Sequence, residues 1–171
     1  MVHSFFTLAT YTRQPIFNNN HARFLLRKTW LETTRNRPFH LEATCLLSDH
    51  LHFIIRLAEN DIDYSTHIVS IKGRFTKTFL EENKTNGFGA GRRDKGERTV
   101  WQHHFWEHLI KDEMDFENHV DYIYYNPVKN GLVTRVQDWP FSSFHRYVRE
   151  GIYPKDWGSV NKDFECDSFG E

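Results

Sequence analysis

At 171 residues, 39% of them hydrophobic, the chain is long enough to bury the core of one domain. No apolar run approaches the ~20 residues that cross a bilayer, and no basic segment leads into a long apolar block, so neither a membrane span nor a signal peptide is expected. The formal net charge of −1 conceals a basic body and an acidic end, because residues 151–171 carry five acidic and two basic side chains. This asymmetry fits a polyanionic partner, although a solvated surface accounts for it equally well.

The two cysteines indicate the cellular compartment of the protein, and the acidic end indicates where its folded domain stops. Cys45 and Cys166 match no zinc-ligand or disulfide spacing, which favours a reducing cytoplasm. Cys45 also falls in a predicted buried strand, so we interpret it as a core residue. We expect one folded domain over residues 1–150 and an acidic tail over residues 151–171.

The first half of the chain predicts three strands and one helix. Residues 5–11 are rich in β-forming side chains, and an asparagine cap precedes a helical pattern over about residues 21–35. Residues 40–47 alternate in polarity, with inward side chains expected at Leu41, Ala43, Cys45 and Leu47. A two-residue turn joins this strand to residues 50–57, so the two strands are predicted to pair as a hairpin.

The next part of the chain predicts a helix, a loop and a strand. Isoleucine and phenylalanine at helical spacing indicate a helix that is capped by Ser65 or Thr66 and ends at about Glu82. A glycine-rich loop over residues 83–98 then leads to a strand within residues 100–110.

A further helix completes the predicted fold. It starts at Asp112 or Asp115 and ends near Lys129, and a short helix follows near residues 142–149. The resulting order β-α-β-β-α-β-α predicts an α+β fold, with a ferredoxin-like split βαβ antiparallel sheet and an additional C-terminal helix. Since the crossover helices cover one face of the sheet, this additional helix is expected to cover the other face.

Two histidines separated by one residue, His50 and His52, lie in the predicted strand over residues 50–57. Because strand side chains alternate, Leu51 and Phe53 point into a core while both imidazoles lie side by side on the other, open face. Two neutral imidazoles on one face are a natural pair of ligands for a divalent metal. Such a pair in a strand is more often structural than catalytic. An alternative metal site is offered by His103, His104 and His108.

The additional helix supplies a nucleophile and a third ligand. His119, Tyr122 and Asn126 share one helical face at spacings i, i+3 and i+7. A tyrosine oxygen can displace a nucleotide oxygen and form a covalent phosphotyrosine, while a metal polarises the scissile phosphate. We therefore predict that the Asn126 side-chain oxygen completes a metal site with the two strand histidines, next to Tyr122. The alternative is that the tyrosines only pack and that Asn126, before a proline, ends the helix.

Four segments in this order resemble the REP-associated tyrosine transposases, which are single-tyrosine HUH enzymes related to small insertion-sequence transposases. The resemblance extends over roughly residues 5–157 and is carried by residues 48–52 (Ser-Asp-His-Leu-His), 101–108 (Trp-Gln-His-His-Phe-Trp-Glu-His), 122–131 (Tyr-Ile-Tyr-Tyr-Asn-Pro-Val-Lys-Asn-Gly) and 139–145 (Trp-Pro-Phe-Ser-Ser-Phe-His).

The resemblance implies a ferredoxin-like fold, a divalent metal (Mg²⁺ or Mn²⁺) and cleavage of single-stranded DNA at hairpins of repetitive extragenic palindromes. By position, His50 and His52 are the metal-binding pair, Asn126 is the third ligand, and Tyr122 is the nucleophile that forms a 5′-phosphotyrosine. The expected function is a metal-dependent endonuclease and strand-transferase. The alternatives are a domesticated hairpin-DNA- or RNA-binding protein without turnover, and an unrelated metal hydrolase acting on a small phosphate ester.

The expected partner is a single-stranded hairpin of REP-like repeats, bound by a cytoplasmic, nucleoid-associated protein. One catalytic tyrosine per chain permits cleavage and rejoining within a monomer or in a dimer with two sites, and we expect a monomer rather than a dimer. The basic residues that we expect to contact DNA are Lys72, Arg74, Lys77, Arg92, Arg93 and Lys129.

Overall fold

The computed structural model describes residues 2–59, 61–83, 91–92 and 98–159. Its strands are β1 (His3–Ala9), β2 (Phe39–Leu46), β3 (His50–Leu57), β4 (Gly91–Arg92), β5 (Arg98–Thr99) and β6 (Trp106–Leu109), and its α-helices are α1 (Asn20–Asn36), α2 (Tyr64–Glu82), α3 (Glu113–Lys129) and α4 (Phe144–Arg149). Strands β2-β3-β1-β6 form, in that order, one antiparallel sheet, whereas β4 and β5 pair with each other. The predicted α+β, ferredoxin-like arrangement with an additional helix is confirmed.

The sheet has a separate hydrophobic core on each face. Helices α1 and α2 pack on the face that carries Phe6 and Phe53, whereas α3 packs on the face that carries Phe5 and Ile54. Neighbouring strand residues therefore enter different cores, as a period of two requires. The central strand β3 is covered on both faces, and this covering determines the environment of the two histidines.

The predicted alternation of β3 is confirmed, but its second face is not open. Leu51 and Phe53 belong to the core beneath α1 and α2. On the other face, His50 is 6% exposed and His52 is 0% exposed. The histidine face is therefore not open to solvent: α3 lies over these side chains, as predicted for the additional helix.

Strand β2 differs from its predicted alternation. Its register with β3 shifts between Leu41 and Ala43. As a result, Leu41 packs against one core, while Ala43 and Cys45 belong to the core on the opposite face. The prediction that these side chains share one face is wrong, because an extra residue in a strand reverses the alternation that follows it.

Helix boundaries also refine the predictions. The side chain of Asp63 caps α2 by accepting from the Thr66 amide at 3.0 Å, so neither Ser65 nor Thr66 is the cap. Asp112 caps α3, as predicted, by accepting from the Asp115 amide at 2.9 Å. Helix α3 then continues through Pro127 to Lys129. The alternative in which Asn126 ends the helix is therefore wrong.

The end of the described chain packs against α3. The hydroxyl of Tyr153 donates to Asp121 Oδ1, and the rings of Tyr153 and Trp157 are 5.0 Å apart. The domain boundary at residue 150 stays a prediction, and residues 160–171 lie outside the described residues. The same is true of residues 84–90 and 93–97 of the predicted loop. None of the described helices has the length and apolar character needed to cross a membrane.

Candidate active site

The central strand and α3 bring together three of the predicted functional residues. The ring centroids of His50 and His52 are 4.8 Å apart, and those of His52 and Tyr122 are 5.2 Å apart. Tyr122 is 1% exposed. The structure therefore assembles a buried cluster of two imidazoles and a phenol from segments seventy residues apart in the sequence.

Each imidazole is oriented by a hydrogen bond at Nδ1. His50 Nδ1 lies 2.6 Å from Asp49 Oδ1, and His52 Nδ1 lies 2.8 Å from Thr7 Oγ1. Burial opposes the ionisation of Asp49, but the His50 hydrogen bond and the nearby Arg13 hold the pKa of this carboxyl below its usual value. Because an ionised carboxylate only accepts, His50 Nδ1 donates, and in the neutral form of this imidazole the free electron pair lies on Nε2.

The remaining imidazole nitrogens fit a metal ion. Within the described part of the chain, the buried Nε2 atoms of His50 and His52 have no hydrogen-bond partner. A buried polar atom left unpaired costs ~1–3 kcal/mol, so two of them side by side indicate a ligand. Burial first, and then the charges of His50, Arg13 and Lys129, hold the pKa of His52 well below its ordinary value. His52 is therefore neutral, which is the form that binds a metal.

Asn126 lies one helical turn after Tyr122 and is 0% exposed. Its Oδ1 accepts from Asn130 Nδ2 at 2.7 Å, and the same Nδ2 donates to the Asn126 carbonyl at 3.0 Å. An amide oxygen has two lone pairs, so Oδ1 keeps one lone pair for a metal ion. The amide is thus buried and held, although its role as third ligand stays a prediction.

Tyr122 is distinguished from its neighbours by what surrounds it. Its ring packs against His52 and lies 5.1 Å from Lys129 Nζ. Tyr124 instead points to the other side of α3, where its hydroxyl is 3.0 Å from Ser143 Oγ and burial raises its pKa. Tyr122 is therefore the tyrosine of this segment that contacts the histidine pair.

The predicted DNA-contacting residues do not lie together. Lys129 is exposed and adjoins Tyr122, whereas Lys72, Arg74 and Lys77 lie on α2, on the opposite side of the sheet. Lys72 Nζ also donates to the Gln102 carbonyl at 2.7 Å. The side chain of Arg92 and the whole of Arg93 lie outside the described residues. Contact with DNA stays a prediction for all six.

Sequence reasoning missed Asp49, Thr7 and Asn130 as orienting residues. Asp49 is adjacent to His50, so a carboxylate next to a candidate ligand was an available signal. Thr7 reaches His52 only through the register in which β1 pairs with β3. Asn130 lies four residues after Asn126 and caps the end of α3, a position that by itself indicates no role at a site.

The alternative site proposed for His103, His104 and His108 is not what the fold assembles. His103 and His104 are exposed, and their rings meet edge to face with centroids 4.6 Å apart. His108 lies instead with Asp115 and His119, and these three form the one cluster of His, Cys, Asp or Glu among the described residues with metal-binding spacing.

Comparison with known proteins identifies the family of this chain. Residues 2–126 match the family model described as "Transposase IS200 like". A Haemophilus influenzae protein provisionally named a REP-associated tyrosine transposase is 43% identical over 154 residues, covering 90% of this chain and 86% of that protein. An Escherichia coli K12 REP-associated tyrosine transposase is 41% identical over 142 residues, covering 83% and 76%.

A solved structure extends the match to three dimensions. The structure of a REP-associated tyrosine transposase bound to a REP hairpin superposes with a TM-score of 0.79 at 38% identity, covering 99% of this chain and 91% of that one. The chain therefore belongs to the IS200-like transposases and, within them, to the REP-associated tyrosine transposases, which are enzymes that act on DNA.

Proposed function

We propose that this protein cleaves and rejoins single-stranded DNA at hairpins of repetitive extragenic palindromes, through a covalent 5′-phosphotyrosine at Tyr122. One observation carries the proposal. Among the described residues, the buried Nε2 atoms of His50 and His52 have no hydrogen-bond partner, and the His52 ring packs against the Tyr122 ring, which supports a metal-binding pair and a nucleophile in one site.

The chain's own residues supply the parts of the reaction. His50, His52 and the Asn126 oxygen would hold Mg²⁺ or Mn²⁺, which when bound polarises the scissile phosphate. The Tyr122 oxygen forms a bond to phosphorus, and the bond from phosphorus to the 3′ oxygen breaks. The 3′ oxygen leaves with a proton as a free hydroxyl, and reversal of these steps by a 3′ hydroxyl rejoins the strand. Lys129, 5.1 Å from the Tyr122 ring, places a positive charge beside the reacting groups.

The substrate class rests on similarity. The solved structure that superposes on 99% of this chain is bound to a REP hairpin. We therefore propose REP-like hairpins as the DNA partner, with the protein acting as a monomer on the nucleoid in the cytoplasm, where such repeats occur.

A denaturing-gel assay tests this function. The full chain is incubated with Mg²⁺ or Mn²⁺ and single-stranded hairpin repeats from the regions flanking its own gene. Tyr122→Phe is compared with Tyr124→Phe, which loses a hydroxyl that lies beside Ser143 on the other side of the same helix. We expect a slow-migrating adduct and a discrete product that EDTA and Tyr122→Phe abolish and Tyr124→Phe retains. A retained hairpin with no adduct in either metal would identify a binding protein without turnover.

A further inference from the structure

A second group of metal-binding side chains lies where β6 meets the start of α3. It consists of His108 on β6, Asp115 in the first turn of α3, and His119 one turn later. One ligand atom from each residue lies within 4.8 Å of the others. None of these residues belongs to the histidine pair on β3 or to the described contacts of Asn126.

The fold brings these three side chains together for local reasons. Asp115 and His119 are four residues apart and so occupy one face of α3. In the antiparallel pairing of β1 with β6, His108 lies opposite Phe5, so both face α3. Asp112 caps the helix at Asp115, which places the Asp115 carboxylate beneath His108.

Asp115 sits between the two imidazoles. Its Oδ2 lies 2.9 Å from His108 Nε2, and its Oδ1 lies 3.0 Å from His119 Nδ1. The amide of Lys111 also donates to Oδ2 at 2.9 Å, which fixes the orientation of the carboxylate. The imidazole rings are nearly parallel, with centroids 4.5 Å apart.

We propose that His108, Asp115 and His119 bind a transition-metal ion of the zinc class. Two imidazole nitrogens and one carboxylate oxygen are a ligand set that zinc accepts, with a water molecule as fourth ligand. Tetrahedral bonds of ~2.0 Å place ligand atoms about 3.3 Å apart. The observed separations of 2.9 and 3.0 Å therefore need only a small expansion. The ion would replace the proton between His108 and the Asp115 carboxylate and the proton that His119 Nδ1 shares with the Asp115 main-chain carbonyl at 2.8 Å.

The site is open to an ion from one side. The side chains of His108 and Asp115 are 24% and 18% exposed, whereas the side chain of His119, which belongs to α3, is fully buried. An ion can thus reach the first two ligands from solvent and join the sheet edge to the helix.

The position of the site suggests what the ion does. The His119 ring lies 4.9 Å from Phe5, and Phe5 contacts both His52 and Tyr122 at 5.8 and 6.0 Å. The ion would therefore be structural, and it would hold the helix that carries Tyr122 against β6. This inference does not depend on the proposed function, because its ligands are different residues.

Cobalt(II) titration provides the test, since Co²⁺ replaces Zn²⁺ and absorbs visible light when bound by protein ligands. The full chain carrying His50→Ala and His52→Ala removes the first candidate metal pair. We expect it to bind one equivalent of Co²⁺ that Zn²⁺ displaces. Adding His108→Asn should weaken this binding at least about tenfold, whereas His104→Asn, at an exposed histidine nearby, should leave it unchanged. No visible band, or equal binding in the His108→Asn protein, would overturn the proposal.

A second experiment tests the proposal even if the variant with several histidine substitutions does not fold. The unsubstituted chain and the single variant Asp115→Asn are unfolded thermally with and without Zn²⁺, after circular dichroism has confirmed that both are folded. We expect Zn²⁺ to raise the unfolding temperature of the unsubstituted chain and to raise that of Asp115→Asn much less. An equal rise of the unfolding temperature in both proteins would contradict the proposal and would mean that the three side chains only form hydrogen bonds with one another.

Discussion

The rings of His52 and Tyr122 lie edge to face, with centroids 5.2 Å apart and an interplanar angle of 71°. His52 belongs to the central strand and Tyr122 to the helix that covers it. Neither residue type is unusual in a core. Their contact becomes significant because the Nε2 atom of His52 is buried without a partner among the described residues. The site can therefore be tested through the residues that orient its ligands as well as through the ligands themselves.

Replacing Asp49 tests the orientation of His50. Asp49→Asn keeps the shape of the side chain but removes the charge that holds the His50 Nδ1 proton. We expect the affinity for Mn²⁺, measured by electron paramagnetic resonance, to fall about 10- to 100-fold. Asp156→Asn, at an exposed aspartate, is the matched control. Unchanged Mn²⁺ affinity in Asp49→Asn would show that His50 is not oriented in this way.

Replacing Asn130 tests the third ligand. Asn130→Ala removes the donor that holds Asn126 Oδ1 at 2.7 Å, so the Asn126 amide becomes free to rotate. We expect about tenfold weaker binding of Mn²⁺ by calorimetry, with little loss of fold because Asn130 is exposed. Asn36→Ala at the end of α1 serves as the control. If Asn130→Ala binds Mn²⁺ as tightly as the parent chain, Asn126 is not held by Asn130 for metal binding.

Replacing two lysines distinguishes an effect on the rate of the reaction from an effect on the affinity for DNA. Lys129→Gln removes the cation 5.1 Å from the Tyr122 ring and should slow adduct formation about tenfold, or ~1.4 kcal/mol in the barrier. Lys77→Gln, on α2 across the sheet, should leave the rate of adduct formation at saturating hairpin unchanged. If Lys77 contacts phosphate, its loss should lower the salt dependence of binding by about one counterion. Equal rates for Lys129→Gln and the parent chain would contradict the role given to Lys129.

The stability of the metal-free protein should depend on pH in a defined direction. Burial is the main cause that lowers the pKa of both His52 and His119. The unfolded chain then binds protons that the folded chain does not. The free energy of unfolding is therefore highest above the histidine pKa of the unfolded chain, ~6.5. As the pH falls below that value, the free energy of unfolding decreases by up to ~1.4 kcal/mol per pH unit for each histidine.

Urea unfolding in EDTA, from about pH 7.5 to about pH 5, measures this effect. His52→Gln can keep a hydrogen bond to Thr7 but cannot titrate, so its free energy of unfolding should change less steeply with pH. A variant with the same slope as the parent chain would show that His52 does not titrate as its burial implies.

Much of the site could be predicted from two periodicities. Alternation placed His50 and His52 on one face of β3, and helical spacing placed Tyr122 and Asn126 on one face of α3. Both patterns depend on backbone geometry within a few residues, so they can be recognised in the sequence without knowledge of the rest of the chain. The order of elements likewise predicted the sheet topology.

Relations between distant segments required the tertiary structure. The shift in β2 that separates Leu41 from Ala43 and the pairing that brings Thr7 to His52 both depend on how the elements pack. The same packing places Lys77 across the sheet from Tyr122 and brings His108 to Asp115 and His119.

The sequence by itself therefore determined the family, the fold class and the residue types of the site, because these follow from local pattern and ordered motifs. Burial, hydrogen-bond partners and the separation of His108 from His103 and His104 were decided by the tertiary structure. The physical reason is that burial and hydrogen-bond partners depend on atoms that come together from distant parts of the chain. The spacing of residues within one segment does not contain this information.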